Sequence, residues 1–162
     1  MNDPVGYFLT FRTYGTWLHG DARGSVDDSH NIFGTPQLKE DKERADGCAQ
    51  RMRYPAMVLT DTMRAVVDVA IRDHCQFRNW ELIELAVRTN NVHVLLGFAD
   101  RTPERVAGEF KSRATRWLRD RGLVSSTARI WADRAGSTRY IWKEKDLEDV
   151  ATYIRDWQDV AR

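Results

Sequence analysis

Strand-like and helix-like patterns follow one another along the chain in an order that constrains the fold more than any other feature. Strand patterns repeat apolar residues at every second position, whereas helix patterns repeat them every three or four. Predicted strands cover residues 7–14, 80–88, 92–98 and 139–142, and predicted helices cover 61–75, 102–121 and 145–157. This β-α-β-β-α-β-α order predicts an α+β fold: a ferredoxin-like (split βαβ) antiparallel sheet with helices on one face and an added C-terminal helix.

Local signals support these boundaries. Thr60 or Asp61 is suited to cap the first helix, and Pro103 suits an early position of the second. Gly122 is expected to end the second helix. The dipeptide at 90–91 is expected to form a tight turn between two hairpin strands.

The length of 162 residues predicts a single domain spanning 1–162, in which about 26–56 form a long insertion or loop. No apolar run approaches the roughly 20 residues that span a bilayer, and the N-terminus lacks a secretory signal pattern. We therefore expect a cytoplasmic protein that is not associated with a membrane, in which Cys48 and Cys75 are reduced thiols. The net charge of +1 provides no global argument for nucleic-acid binding.

Asn91 and His93 are the polar pair of an otherwise apolar strand pattern, and their i, i+2 spacing places both on one face. An amide oxygen and an imidazole nitrogen, completed by water and a substrate phosphate, suit Mg²⁺ or Mn²⁺ better than Zn²⁺. The alternative is structural: Asn91 closes the hairpin turn and His93 makes an ordinary hydrogen bond. Spacing alone favours this alternative.

Several sequence blocks resemble the single-tyrosine HUH transposases, the insertion-sequence and REP-associated tyrosine transposase family. Residues 89–96 resemble that family's Asn-His-Val-His-Leu-Leu block, with Asn91 at the position of the first histidine. Further similar blocks, in the right order, are residues 7–18, 111–118, 131 with 136–142, and 149–154. The resemblance covers most of the chain and leaves about 26–56 unmatched.

The resemblance implies an enzyme that cleaves and rejoins hairpin-adjacent single-stranded DNA, acting as endonuclease and strand transferase. Tyr153 would attack a DNA phosphate, forming a 5′-phosphotyrosine and releasing a 3′-hydroxyl. Mg²⁺ or Mn²⁺ would be held by His93, Gln158 and Asn91. Read without the resemblance, Tyr153 is a half-buried tyrosine at the edge of a helix's apolar stripe. The family includes both homodimers and single-chain members, and the sequence leaves both open.

Two positions depart from the family pattern. Asn91 replaces a strong nitrogen ligand by a weaker amide oxygen, and Gln158 follows Tyr153 by five residues, about 140° around a regular helix. The alternative function is thus a catalytically impaired DNA-binding module derived from such a transposase. An RNA-binding module on the same scaffold is a third interpretation.

Basic residues are concentrated in the second predicted helix, where Lys111, Arg116 and Arg119 are candidate DNA-binding residues. Arg12 and Arg139 are further candidates, since they lie near aromatic residues that could stack on unpaired bases. The alternative is a solvated helix face with i, i+4 ion pairs. Trp131 and Trp142 are predicted to be core residues.

Overall fold

A four-stranded antiparallel sheet forms the centre of the protein, with helices on both of its faces. The computed structural model describes residues 3–15, 56–133 and 137–156. In chain order the elements are β1 (Gly6–Arg12), α1 (Asp61–Arg78), β2 (Leu82–Val87), β3 (Asn91–Leu96), α2 (Pro103–Asp120), β4 (Ser137–Ile141) and α3 (Glu144–Asp156). The order of strands in the sheet is β2-β3-β1-β4, and every neighbouring pair is antiparallel. The predicted α+β ferredoxin-like fold is confirmed.

One face of the sheet packs against α1 and α2. Alternate residues of the two central strands, including Phe11 and Val94, are fully buried there. From the helices, Ile71 and Phe110 enter the same cluster. Because strand side chains alternate between the two faces of a sheet, every second residue of these strands is buried against α1 and α2.

Among the described elements, only α3 packs against the opposite face. Phe8, Leu95 and Ile141 of the sheet form a smaller buried cluster with Val150 and Ile154 of α3. The helix pattern of the C-terminal segment therefore reflects packing against the second face of the sheet. As a result, the side chains of β3 that point away from the main core face α3.

Helix ends explain the main differences from the predicted boundaries. The Thr60 side chain caps α1 by accepting a hydrogen bond from the Met63 backbone, and the Thr102 side chain caps α2 in the same way. The first helix continues to Arg78, beyond the predicted residue 75, because Asn79 adopts a left-handed conformation (φ 60°) and caps the last carbonyls. No helix in the described part of the chain is long and apolar enough to cross a membrane.

Candidate active site

Asn91 and His93 lie on the face of β3 that is turned toward α3. The residues between and beyond them, Val92 and Val94, belong to the cluster on the opposite face. Across the sheet, Arg12 is the Cα partner of Asn91, and Thr10 is the Cα partner of His93. The polar pair therefore lies near one end of a central strand, on the face of the sheet that α3 covers.

His93 is buried and held by a neighbouring strand. The Thr10 hydroxyl lies 3.0 Å from His93 Nδ1, and the Phe8 ring centroid lies 5.7 Å from the imidazole centroid. Burial lowers the pKa of His93 to about 3, and the positive charges of Arg12 and Arg88 act in the same direction. The imidazole is therefore neutral at physiological pH, which is the form that binds a metal ion.

Asn91 presents a buried amide to the same site. Asn91 is only 1% exposed, and its Nδ2 donates a hydrogen bond to Oδ1 of Asn90 at 2.8 Å. Within the described ranges, no group donates a hydrogen bond to Asn91 Oδ1. A buried amide oxygen without a donor is costly unless something else satisfies it, and a hard divalent cation is suited to do so.

The donor set fits a weakly held Mg²⁺ or Mn²⁺. It comprises the amide oxygen of Asn91 and the neutral imidazole of His93. Residues 3–15, 56–133 and 137–156 contain no cluster of three or more His, Cys, Asp or Glu side chains that could hold a metal. The third predicted ligand, Gln158, lies outside the described residues.

Tyr153 lies over His93 from α3. Their ring centroids are 6.2 Å apart with the planes at 82°, and the Phe8 centroid lies 6.1 Å from that of Tyr153. Tyr153 is 40% exposed, so its ring has one packed side and one that solvent reaches. Burial raises the pKa of Tyr153, and the positive charges of Arg139, Arg12 and Arg88 only partly offset this rise. The phenol is therefore protonated at neutral pH and needs further activation to act as a nucleophile.

Three arginines surround this tyrosine, and two of them, Arg12 and Arg139, are among the predicted DNA-binding residues. The third, Arg88, was not predicted. Its Nη2 donates to the backbone carbonyl of Ile154 at 2.8 Å, which links the β2–β3 hairpin to α3. The sequence feature that could have identified Arg88 is its position beside the predicted turn. In the structure its backbone N–H donates to the Asn91 carbonyl, which closes the hairpin.

The other predicted DNA-binding residues lie on the opposite side of the sheet, on α2. Lys111 Nζ donates to the Ala132 carbonyl at 3.1 Å and lies 5.8 Å from the Phe11 ring centroid. Burial lowers the pKa of Lys111 to about 8. Arg116 and Arg119 are exposed on the same helix. The five basic residues predicted to bind DNA are thus divided between the two faces of the sheet, with Arg12 and Arg139 on one face and Lys111, Arg116 and Arg119 on the other.

The two tryptophans predicted as core residues differ. Trp131 is buried, and its Nε1 donates to the Lys111 carbonyl and to Thr115 Oγ1. The prediction for Trp142 is wrong, because it lies just beyond β4 and is 56% exposed. Its ring instead lies 6.0 Å from that of Tyr140, which is also exposed.

Comparisons with known proteins identify the family of the chain and a solved structure with a similar fold. The chain matches the family model of IS200-like transposases over residues 48–157. Its fold is similar to that of a REP-associated tyrosine transposase solved in complex with a REP hairpin, with a TM-score of 0.53 and 15% sequence identity. That match covers 95% of this chain and 67% of the other. No curated protein matches the chain. Because the family model covers more than half of the sequence, the chain belongs to the IS200-like transposase family.

Proposed function

We propose that this protein cleaves and rejoins hairpin-adjacent single-stranded DNA, with Tyr153 as the nucleophile. The observation that carries the proposal is the 6.2 Å approach of the Tyr153 and His93 rings, from a helix and a strand that are distant in sequence. Membership of a transposase family makes a DNA phosphate the relevant electrophile. The hairpin bound to the structurally similar REP-associated transposase supports hairpin DNA as the partner.

In the proposed reaction, Tyr153 Oη attacks the phosphorus atom of one phosphodiester. The new phosphorus–oxygen bond forms as the bond to the 3′ oxygen breaks, leaving a 5′-phosphotyrosine and a free 3′-hydroxyl. The phenolic proton passes to water at the exposed side of the ring, and the departing 3′ oxygen takes up a proton. Attack of a 3′-hydroxyl on the phosphotyrosine reverses these steps and rejoins DNA.

His93, Asn91 and Gln158 are the residues that would hold Mg²⁺ or Mn²⁺ in this site. When bound, such a cation would polarise the phosphate and stabilise its developing negative charge. The chain's own contribution is to keep the His93 imidazole neutral by burial and to orient it through Thr10. Metal-binding histidines are commonly oriented through their second ring nitrogen in this way.

A DNA-binding module that no longer cleaves is the second candidate function. Asn91 is the observation that favours it, because it occupies the position of the first motif histidine. An amide oxygen binds a divalent cation more weakly than an imidazole nitrogen, so the metal site is the part most affected. The basic residues around Tyr153 would serve binding equally well in such a protein.

A cleavage assay distinguishes the two functions. The substrate is single-stranded DNA carrying a hairpin, incubated with Mn²⁺ and the wild type, Tyr153→Phe or Asn91→His. The proposal predicts a covalent protein–DNA adduct in the wild type, its absence in Tyr153→Phe and more adduct in Asn91→His. Binding without adduct in the wild type, together with adduct in Asn91→His, would establish the binding module instead. If no variant binds or cuts, both functions are wrong.

A further inference from the structure

Three arginines reach the Tyr153 site from β1, from β4 and from the position that follows β2. Arg12 ends β1 opposite Asn91, and Arg139 of β4 is the Cα partner of Phe8, whose ring packs against Tyr153. Arg88 follows β2 and donates to the carbonyl of the residue after Tyr153. The antiparallel sheet thus brings together guanidinium groups that are far apart in sequence.

The three arginines make a positive electrostatic contribution at the Tyr153 phenol. Among the described residues, the charged groups that shift the pKa of Tyr153 are these arginines, and each of them lowers it. Arg12 and Arg88 also act on His93, which stays neutral. A phosphate group bound beside these guanidinium groups is stabilised by their positive charges.

We propose that Arg12, Arg88 and Arg139 form a phosphate-binding site beside Tyr153 that holds one phosphodiester of the DNA without requiring a divalent cation for binding. This inference rests on the proposed function, because it takes the phosphodiester to be the group that Tyr153 attacks. Guanidinium groups match the geometry of phosphate oxygens and remain charged at every physiological pH. The site would also supply positive charge where Asn91 weakens the metal site.

Arg88 has a particular position in this site. One of its terminal nitrogens is engaged by the Ile154 carbonyl, which fixes the guanidinium plane relative to the helix that carries Tyr153. The same side chain would therefore both hold the phosphate and keep α3 in register with it. A lysine at this position keeps the charge but loses the planar fork, so Arg88→Lys separates charge from geometry.

The test is the salt dependence of binding by the full chain in EDTA. The probe is a fluorescein-labelled oligothymidylate, and the measurement is the dissociation constant by fluorescence anisotropy at several NaCl concentrations. Each phosphate contact contributes about 0.7 to the slope of log affinity against log salt for single strands. We expect Arg88→Gln and Arg139→Gln each to reduce the slope by roughly 0.7. Arg88→Lys should retain the slope at lower affinity.

Arg72→Gln is the matched control. Arg72 is an exposed arginine of α1, on the other side of the sheet, where it pairs with Asp68. Its substitution should leave the slope unchanged. Inorganic phosphate should displace the probe more effectively than chloride at equal ionic strength, whereas competition no better than that of chloride would contradict a phosphate site. Unfolding measurements on each variant identify effects that come only from misfolding.

The possible results separate the phosphate site from cleavage. If the wild type does not bind in EDTA, or if Arg88→Gln and Arg139→Gln fold normally and keep the wild-type slope, the phosphate site is wrong even where Tyr153 forms an adduct. Arginine-dependent binding in EDTA without any adduct in Mn²⁺ would support the phosphate site and reject cleavage. Arginine-dependent binding and adduct formation together would support both.

Discussion

The Thr10 hydroxyl lies 3.0 Å from Nδ1 of His93, and the two residues are directly opposed on neighbouring strands. Metal binding through Nε2 requires the tautomer in which Nδ1–H donates to the Thr10 oxygen. We expect Thr10→Val to weaken Mn²⁺ binding about 10- to 100-fold, as is typical when the partner of a metal-binding histidine is lost. Calorimetric titration with Mn²⁺, in the wild type and in the Asn91→His background, measures the effect.

Thr62→Val is the control for this substitution. Thr62 is an exposed residue in the first turn of α1 and has no place in the site. Its variant should bind Mn²⁺ as the parent protein does. Equal affinities for the Thr10→Val variant and its parent would mean that the hydrogen bond does not orient a metal ligand.

Acidification should destabilise the protein through His93. Its pKa is about 3 in the folded protein, against an ordinary value of 6.5. Below pH 6.5 the unfolded chain takes up a proton that the folded protein does not, so the free energy of unfolding falls as pH decreases toward 3. The fall is at most about 1.4 kcal/mol per pH unit. Urea unfolding at pH 7 and pH 5 should show a smaller difference in His93→Gln.

An independent check is the NMR titration of the His93 imidazole. A midpoint near 6.5 in the folded protein would contradict this account, since burial would then have no effect on the protonation of the ring.

Gly6 is required by close packing where β1 meets its neighbours. A Cβ atom there would lie 2.6 Å from the Leu96 carbonyl oxygen and 2.7 Å from Leu147 Cδ2. Because a backbone atom cannot easily move aside, we expect Gly6→Ala to reduce the free energy of unfolding by about 1–3 kcal/mol. The matched control is Gly108→Ala on α2, where a Cβ meets nothing within 4 Å.

The control should change stability in the opposite direction. Alanine loses less backbone entropy than glycine in a helix, so Gly108→Ala should stabilise the protein by roughly 0.5–1 kcal/mol. Chemical denaturation of both variants provides the comparison. Similar stability changes of the same sign would show that the contact at Gly6 is not what limits its substitution.

Glu109 joins the two helices of the main layer. Its carboxylate accepts hydrogen bonds from His74 Nε2 at 2.8 Å and Arg78 Nε at 2.9 Å, and it lies 3.1 Å from Arg101 Nε. We expect Glu109→Gln to cost about 1–3 kcal/mol, because several charge-assisted contacts are lost together. Glu104→Gln, at the exposed start of α2, should cost about 0.5 kcal/mol or less. Thermal unfolding of the two variants tests this prediction. Equal losses of stability in both would mean that the contacts of Glu109 with His74, Arg78 and Arg101 do not stabilise the fold.

Local sequence signals were sufficient for the elements of the fold and for one feature of the site. Thr60 and Thr102 mark helix starts because capping depends on residues only three positions apart. The shared face of Asn91 and His93 follows from the two-residue period of a strand. Each of these properties is determined within a few residues, so it is visible in the sequence.

The proposed role of Tyr153 depends on similarity to a family, because nothing in its own helix distinguishes it from a packing tyrosine. Trp142 is predicted to be a core residue because it is a large aromatic residue. Its exposure depends instead on where β4 ends, which its own side chain does not reveal. The burial and role of a single aromatic residue thus depend on elements elsewhere in the chain, which its local sequence does not specify.

The sequence by itself determined the α+β element order, the transposase family and the polar pair of β3. Only the tertiary structure decided that α3 covers the face opposite α1 and α2, which places Tyr153 over His93 and leaves Lys111 on the far side of the sheet. It also brought Arg88 into contact with α3, the helix that carries Tyr153, across 66 positions of sequence. Periodicity specifies which residues of a segment are buried, whereas the choice of face depends on long-range packing between segments.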